Sequence, residues 1–173
     1  GDWIHQHGHL QPFMLWVECF DPHEPWDAPD EFVRRYSADY HGIEPIWPGA
    51  FTSEYRPEEV QRIRAHYAGE CTHVDKWCGH VLDTLRARGL LDDTLVVFTS
   101  DHGCMMGEQG ELHKGQDRLR IQVSRCPLII RHPDGAHAGQ VVHGLLQHQD
   151  LMPTLLRLLG QDVPDRCDGQ DFW

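Results

Sequence analysis

Positive charge is scarce in this sequence, and long apolar runs are missing altogether. Only 15 lysines and arginines stand against 27 aspartates and glutamates, a formal net charge of -12 over 173 residues. Proteins that track a nucleic-acid backbone rely on clustered cations to neutralise phosphates, so that class of partner is excluded. An anionic substrate would have to be met by local cations or by a metal. The apolar stretches, among them those around residues 95–98 and 127–130, are strand-sized and fall well short of the roughly 18 residues of a membrane span. No transmembrane segment is expected. The first residues, GDWIHQHGHLQP, lack a basic stretch followed by an apolar one. They do not read as a signal peptide, and they look like the interior of a longer chain. The six cysteines form no CxxC pair and no dense disulfide framework. They leave the compartment open, with a soluble cytoplasmic location slightly favoured over a periplasmic or secreted one. No internal repeat or low-complexity tract is visible.

What is present is a composition of 40% hydrophobic and 24% charged residues, ordinary for a soluble globular domain, in a length that suits one domain. The 14 histidines direct attention to metal and acid–base chemistry. Residues 12–20, PFMLWVECF, are apolar and short and predict a buried strand that ends at the Asp21-Pro22 turn signal. Residues 21–55 are crowded with Pro, Trp, Asp and Glu and show no period, which marks a long loop of the kind that carries sites. Pro57-Glu58-Glu59 opens a helix, with proline tolerated and acids favoured in its first turn. Val60, Ile63, Tyr67, Cys71, Val74, Cys78, Val81, Leu82 and Leu85 then give one apolar stripe that Gly89 terminates. TLVVFTS predicts a second buried strand and CPLIIRHP, residues 126–133, a third. Residues 150–159 predict a closing helix with Asp150 as N-cap and Gly160 as its stop.

Three segments hold residue types suited to chemistry. In FTSDHG, Asp101 and His102 leave a strand together; such paired oxygen and nitrogen donors suit a divalent metal, and Gly103 permits a tight turn beside them. The plainer reading is that Asp101 caps a turn and His102 lies on the surface. In DPHEPW two prolines stiffen the backbone around His23, as a group that moves a proton in one geometry requires. The alternative is an idle histidine in a proline-rich turn. In MGEQGELHKG the spaced glycines and Lys114 suggest a flexible loop that brings a cation to an anion, although loop lysines are commonly just solvated. Cys71-x-His73 and Cys78-x-His80 superficially suggest zinc. On a helix, however, residues two apart point about 200° apart and do not chelate one ion together.

Taken in order, PFMLWVECFDPHEPW, the block from EEVQRIRAHY to VVFTSDHG, GELHKG, SRCPLIIRHPDG and QHQDLMPTLLRLLG resemble the sulfatase family of the alkaline phosphatase superfamily, over residues 12–173. The His after Asp101 places the resemblance nearest the choline-sulfatase and phosphonate-monoester-hydrolase branch. The resemblance implies an α/β, alkaline-phosphatase-like mixed sheet flanked by helices, here incomplete, with residues 1–173 forming the middle-to-late part of a single catalytic domain.

By the same resemblance, Asp101 and His102 are metal ligands, Lys114 contacts the transferred sulfate and His23 stands beside the leaving-group oxygen. The implied cofactor is a divalent ion, Ca²⁺ or Mn²⁺, with Zn²⁺ or Fe²⁺ also admitted because imidazole is a poor partner for Ca²⁺. The family's formylglycine arises in a CxPxR-type motif that none of the six cysteines begins. The nucleophile and the first acidic pair are therefore expected in a longer parent and not in this chain, which alone is expected to be inactive. The implied activity is hydrolysis of a small-molecule or saccharide sulfate ester. A phosphonate or phosphate ester hydrolase and a non-catalytic degenerate homologue are the alternatives. Open sheet edges would allow homo-oligomers.

Overall fold

The computed structural model describes residues 1–115, 117 and 119–173, and it divides into two compact units, residues 1–135 and 136–173. In the first unit a short helix α1 (Asp2–His7) and a four-residue helix α2 (Asp30–Val33) precede the dominant element, α3 (Pro57–Ala87). Its 31 residues make a rod of about 46 Å at 1.5 Å per residue. The expected start is present: Pro57 occupies the first turn, and Glu59 accepts a hydrogen bond from the Arg56 backbone N–H at 2.8 Å. The expected stop is also present, with Gly89 at φ +66° and the Leu90 N–H returning to the Leu85 carbonyl.

The buried face of α3 is less apolar than its stripe predicts. Ile63 and Leu85 are buried, but so are Arg62, His66 and Glu70, while Cys71 is exposed. The polar stripe is used to hold the long loop. Arg62 grips Glu44 with two hydrogen bonds of 2.7 and 2.8 Å and donates a third, of 2.6 Å, to the Ser37 carbonyl. His66 meets the same Glu44 at 2.7 Å. The hydrogen bond from Arg62 is the main reason the Glu44 carboxyl is held below its ordinary range. The loop's lack of period is thus compensated by charge-assisted bonds to one helix face.

After α3, a turn at Leu91–Asp93 leads into strand β1 (Val96–Thr99), followed by β2 (Met105–Met106), β3 (Leu112–His113), a one-turn helix α4 (Ile121–Ser124) and β4 (Leu128–Arg131). β1 pairs antiparallel with β4, Phe98 opposite Ile129, and β2 pairs antiparallel with β3. The ladder β1–β4 is open on one face, since Phe98 and Ile129 are both exposed. The buried strand expected at residues 12–20 is not formed: the segment has no regular structure, and Met14, Trp16, Val17 and Phe20 are exposed. A strand is stabilised by the ladder it joins, and no neighbouring strand pairs with this segment among the described residues.

Three apolar clusters hold the unit together. Trp26, Ile63, Met106 and Leu112 join the loop, α3 and the β2–β3 hairpin. Ile4, Leu85 and Leu91 join α1 to the end of α3, and Ala28, Val33 and Ala65 seat α2. In the second unit α5 (Leu151–Leu158) follows Asp150 at the expected position, but the Asp150 side chain makes no cap hydrogen bond to the helix. Its carboxylate accepts the Gln147 and Gln170 backbone N–H groups at 2.9 and 2.8 Å, which fastens the last residues to the helix start. No described helix is long and apolar enough to cross a membrane.

Candidate active site

The segment expected to be a flexible loop, residues 106–115, is a β-hairpin. Gly107 at φ +101° and Gly110 at φ +79° supply the backbone shapes that a side chain resists, and buried Met105 and Leu112 anchor the two arms. Residue 111 bridges to Phe51, and Leu112 N–H donates to the Ala50 carbonyl, so the far end of the long loop runs beside the hairpin. His113, the last hairpin residue, lies at φ +67°, an unfavourable region for a side-chain-bearing residue. It is held there by a 2.6 Å hydrogen bond from Nε2–H to the Pro48 carbonyl and by stacking on the Trp26 indole, ring centroids 5.1 Å apart. Strain of this kind persists where the surroundings over-determine it, and here it fixes the direction of the next residue, Lys114.

Lys114 and His23, 91 positions apart in sequence, converge on one carboxylate. Lys114 Nζ lies 2.8 Å from Glu24 Oε2, and His23 Nδ1 lies 3.6 Å from the same oxygen. His113 Nδ1 approaches the other oxygen at 3.5 Å. Burial alone would push the Glu24 carboxyl up, but the Lys114 hydrogen bond, Glu24's own backbone and the charges of Lys114 and His23 outweigh it and hold the group below its ordinary value. His23 Nδ1 donates to the Glu24 carbonyl at 2.6 Å, which leaves Nε2 as the ring atom with a lone pair. Glu24, His113 and Trp26 were not assigned roles from sequence. Glu24 and Trp26 lie inside the DPHEPW motif and His113 directly precedes Lys114, yet only the fold shows that they meet.

Asp101 and His102 follow β1 as expected. Asp101 Oδ1 accepts the His102 backbone N–H at 2.8 Å, and Oδ2 lies 3.6 Å from His102 Nε2. His102 Nδ1 donates to the Gly103 carbonyl at 2.9 Å, so its remaining lone pair, on Nε2, sits beside the carboxylate. A ligand histidine whose other nitrogen is fixed by a carbonyl is a usual device of metal sites, and the two donors therefore fit a divalent ion. Gly103 serves differently from the tight turn expected. Its φ is not left-handed; an added Cβ would stand 2.0 Å from the Gln122 carbonyl oxygen, and its N–H donates to the Val123 carbonyl at 2.7 Å. The glycine lets α4 approach the backbone beside the metal pair. Among the described residues, no hydrogen bond or ion pair links Asp101 or His102 to the Glu24 cluster.

A third group, unforeseen in sequence, brings Asp21, Glu70 and His73 together, with one ligand atom of each within 4.8 Å of the others. The Glu70 carboxyl is pushed up to about 7, first by burial and then by the negative charges of Asp21 and Asp27. The signal available in sequence was the Glu-x-x-His spacing on a helix, which places both side chains on one face. His73 thus joins two carboxylates and not the cysteines beside it.

Comparison with known proteins gives this arrangement a context. The sulfatase family profile matches residues 2–161. A multifunctional alkaline phosphatase superfamily protein, PehA, from Trinickia caryophylli is 31% identical over 94% of this chain and 37% of its own length. The crystal structure of a phosphonate monoester hydrolase from Agrobacterium radiobacter superposes with a TM-score of 0.79 at 28% identity, over 99% of this chain and 40% of that one. A structure of BT4656 in complex with its substrate D-glucosamine-2-N,6-O-disulfate has a TM-score of 0.60 at 28% identity, over 82% of this chain and 26% of that one. The chain spans about two fifths or less of the length of these relatives. It belongs to the sulfatase family and to the alkaline-phosphatase-like α/β fold class.

Proposed function

We propose that the enzyme to which this chain contributes hydrolyses a sulfate ester, with Lys114 and His23 as catalytic residues and Asp101 and His102 as metal ligands. The observation that supports this most is the convergence of His23 and Lys114 on one oxygen of Glu24. Lys114 neutralises charge on the sulfate oxygens, and such preorganised cations act most strongly as charge moves in the transition state. In its doubly protonated form His23 carries on Nε2 the proton that it passes to the departing alcohol, which returns the ring to the tautomer with the lone pair on Nε2. Glu24 positions both groups. A divalent ion at Asp101 and His102 would supply charge neutralisation and nucleophile activation, and the imidazole donor favours Mn²⁺, Zn²⁺ or Fe²⁺ over Ca²⁺. No nucleophilic step is assigned within these residues, and the 173-residue chain by itself is proposed to be inactive. Residues 1–173 are proposed as the middle-to-late part of one catalytic domain, whose remainder covers the exposed apolar residues 14–20 and the open face at Phe98 and Ile129.

A small-molecule or saccharide sulfate ester is the proposed substrate class, supported by the disulfated glucosamine bound to BT4656. Hydrolysis of a phosphonate or phosphate ester is the second reading, favoured by the likeness to the Agrobacterium enzyme. Kinetic assay of the full-length protein on an aryl sulfate and an aryl phosphonate tests both. A higher kcat/KM for the sulfate is expected; preference for the phosphonate selects the second reading. Turnover of neither ester overturns both.

A further inference from the structure

We infer that Asp21, Glu70 and His73 form a second metal-binding site, for a first-row divalent ion of the Zn²⁺ or Mn²⁺ class. Glu70 and His73 stand three residues apart on α3 and so share a face, while Asp21 reaches them from the start of the long loop; their ligand atoms lie within 4.8 Å of one another. Presentation of a carboxylate and an imidazole by Glu-x-x-His on one helix is an established way for helical proteins to build metal centres. Two oxygen donors and one nitrogen suit Zn²⁺ or Mn²⁺ better than Ca²⁺, which prefers six to eight oxygens.

The charge arrangement points the same way. Glu70 is 2% exposed and faces a second carboxylate. The Glu24 carboxylate, by contrast, has Lys114 against it. Among the described residues no lysine or arginine pairs with Asp21 or Glu70. Buried negative charge is ordinarily paired or ligates a metal; Glu70 is met by the backbone N–H groups of Asp27 and Ala28, and the side chain brought to the two carboxylates is the imidazole of His73.

His73 has one further partner. Its Nε2 accepts the Trp77 indole N–H at 2.8 Å, so the neutral ring carries its proton on Nδ1. An ion on Nε2 would need the lone pair that Trp77 uses. An ion on Nδ1 would move the ring proton to Nε2, where it would face the indole N–H. Binding through either nitrogen therefore opens the Trp77 bond, and Trp77, half exposed on the helix surface, becomes a reporter.

The test is calorimetric titration of Zn²⁺ and Mn²⁺ into chelator-stripped full-length protein, with indole fluorescence followed in parallel and compared with Trp77→Phe. His73→Ala and Glu70→Gln are expected to remove one bound ion or weaken it at least tenfold, and to abolish the Trp77-dependent fluorescence change. Asp101→Ala is expected to leave that change in place, which separates this site from the proposed catalytic one. Stoichiometry, affinity and fluorescence response unchanged in His73→Ala would overturn the inference. Because His73 is only half buried in a helix that alanine favours, that variant decides the matter even if Glu70→Gln does not fold.

Discussion

Glu24 and Glu70 are both largely buried, with 12% and 2% exposure for the Glu24 side chain and the Glu70 residue, yet their surroundings have opposite sign. Around Glu24 stand Lys114 and His23, and its carboxyl is held low against the desolvation that opposes ionisation. Around Glu70 stand Asp21 and Asp27, which add to desolvation and raise it to about 7. In the proposed reading the first carboxylate is an anion that arranges cations for a substrate. The second carries more negative charge than its neighbours neutralise. The same residue type is thus suited to the proposed positioning role or to the proposed ligand role according to the charges brought to it.

The two environments also respond oppositely to pH. A lowered carboxyl adds stability above its unfolded value, and that stability is lost as pH falls through its folded value. A raised carboxyl adds stability that is complete below the unfolded value, near 4.5, and is lost as pH rises through about 7.

Four substitutions would break or sharpen this contrast. Trp26 is fully buried, stacked on His113 and edge-on to Tyr67. Trp26→Ala should cost about 3–5 kcal/mol, read by denaturant unfolding; a loss under about 1 kcal/mol would mean that the cluster around Trp26 closes over the space. Lys114→Met should lower kcat for the preferred ester roughly a hundred- to a thousandfold in the full-length protein and move the acid limb of its stability curve upward. Near-normal turnover with a moved acid limb would reduce Lys114 to a counter-ion of Glu24. In the presence of chelator, Glu70→Gln should remove a stability decline on the order of 2–3 kcal/mol that the parent shows from about pH 5 to 8. Parallel decline in both proteins would show that Glu70 ionises freely. Asp27→Asn should move the Glu70 midpoint downward by a smaller amount, seen in a carboxyl NMR titration, and an unmoved midpoint would leave Asp21 as the neighbouring charge that matters.

The long helix was readable because period and boundary signals agree: Pro57 and Glu59 at one end, Gly89 at the other, and Ile63 and Leu85 on one side. The strands at Val96–Thr99 and Leu128–Arg131 were readable from their β-branched content. Residues 12–20 misled because an apolar run states a preference for burial without saying what will bury it. The hairpin at Gly107 and Gly110 was hidden because glycine signals freedom and positive φ alike. In the candidate site, Asp101, His102, His23 and Lys114 were chosen by motif. Glu24, which joins the last two, had no signal of its own, since only tertiary structure brings positions 24 and 114 together. Gly103 was noticed for the wrong reason, because close approach by Gln122 is a property of two distant segments.

The apolar stretch after Pro12 also bears on how the polypeptide behaves in a tube. FMLWVECF contains no proline, one formal charge and mostly residues that favour extended chains, and Met14, Trp16, Val17 and Phe20 face solvent. Short segments of that description template cross-β stacking when left open. At working concentrations the isolated polypeptide is therefore expected to seed its own precipitation, and turbidity should rise with protein concentration and fall when Trp16 is replaced by lysine.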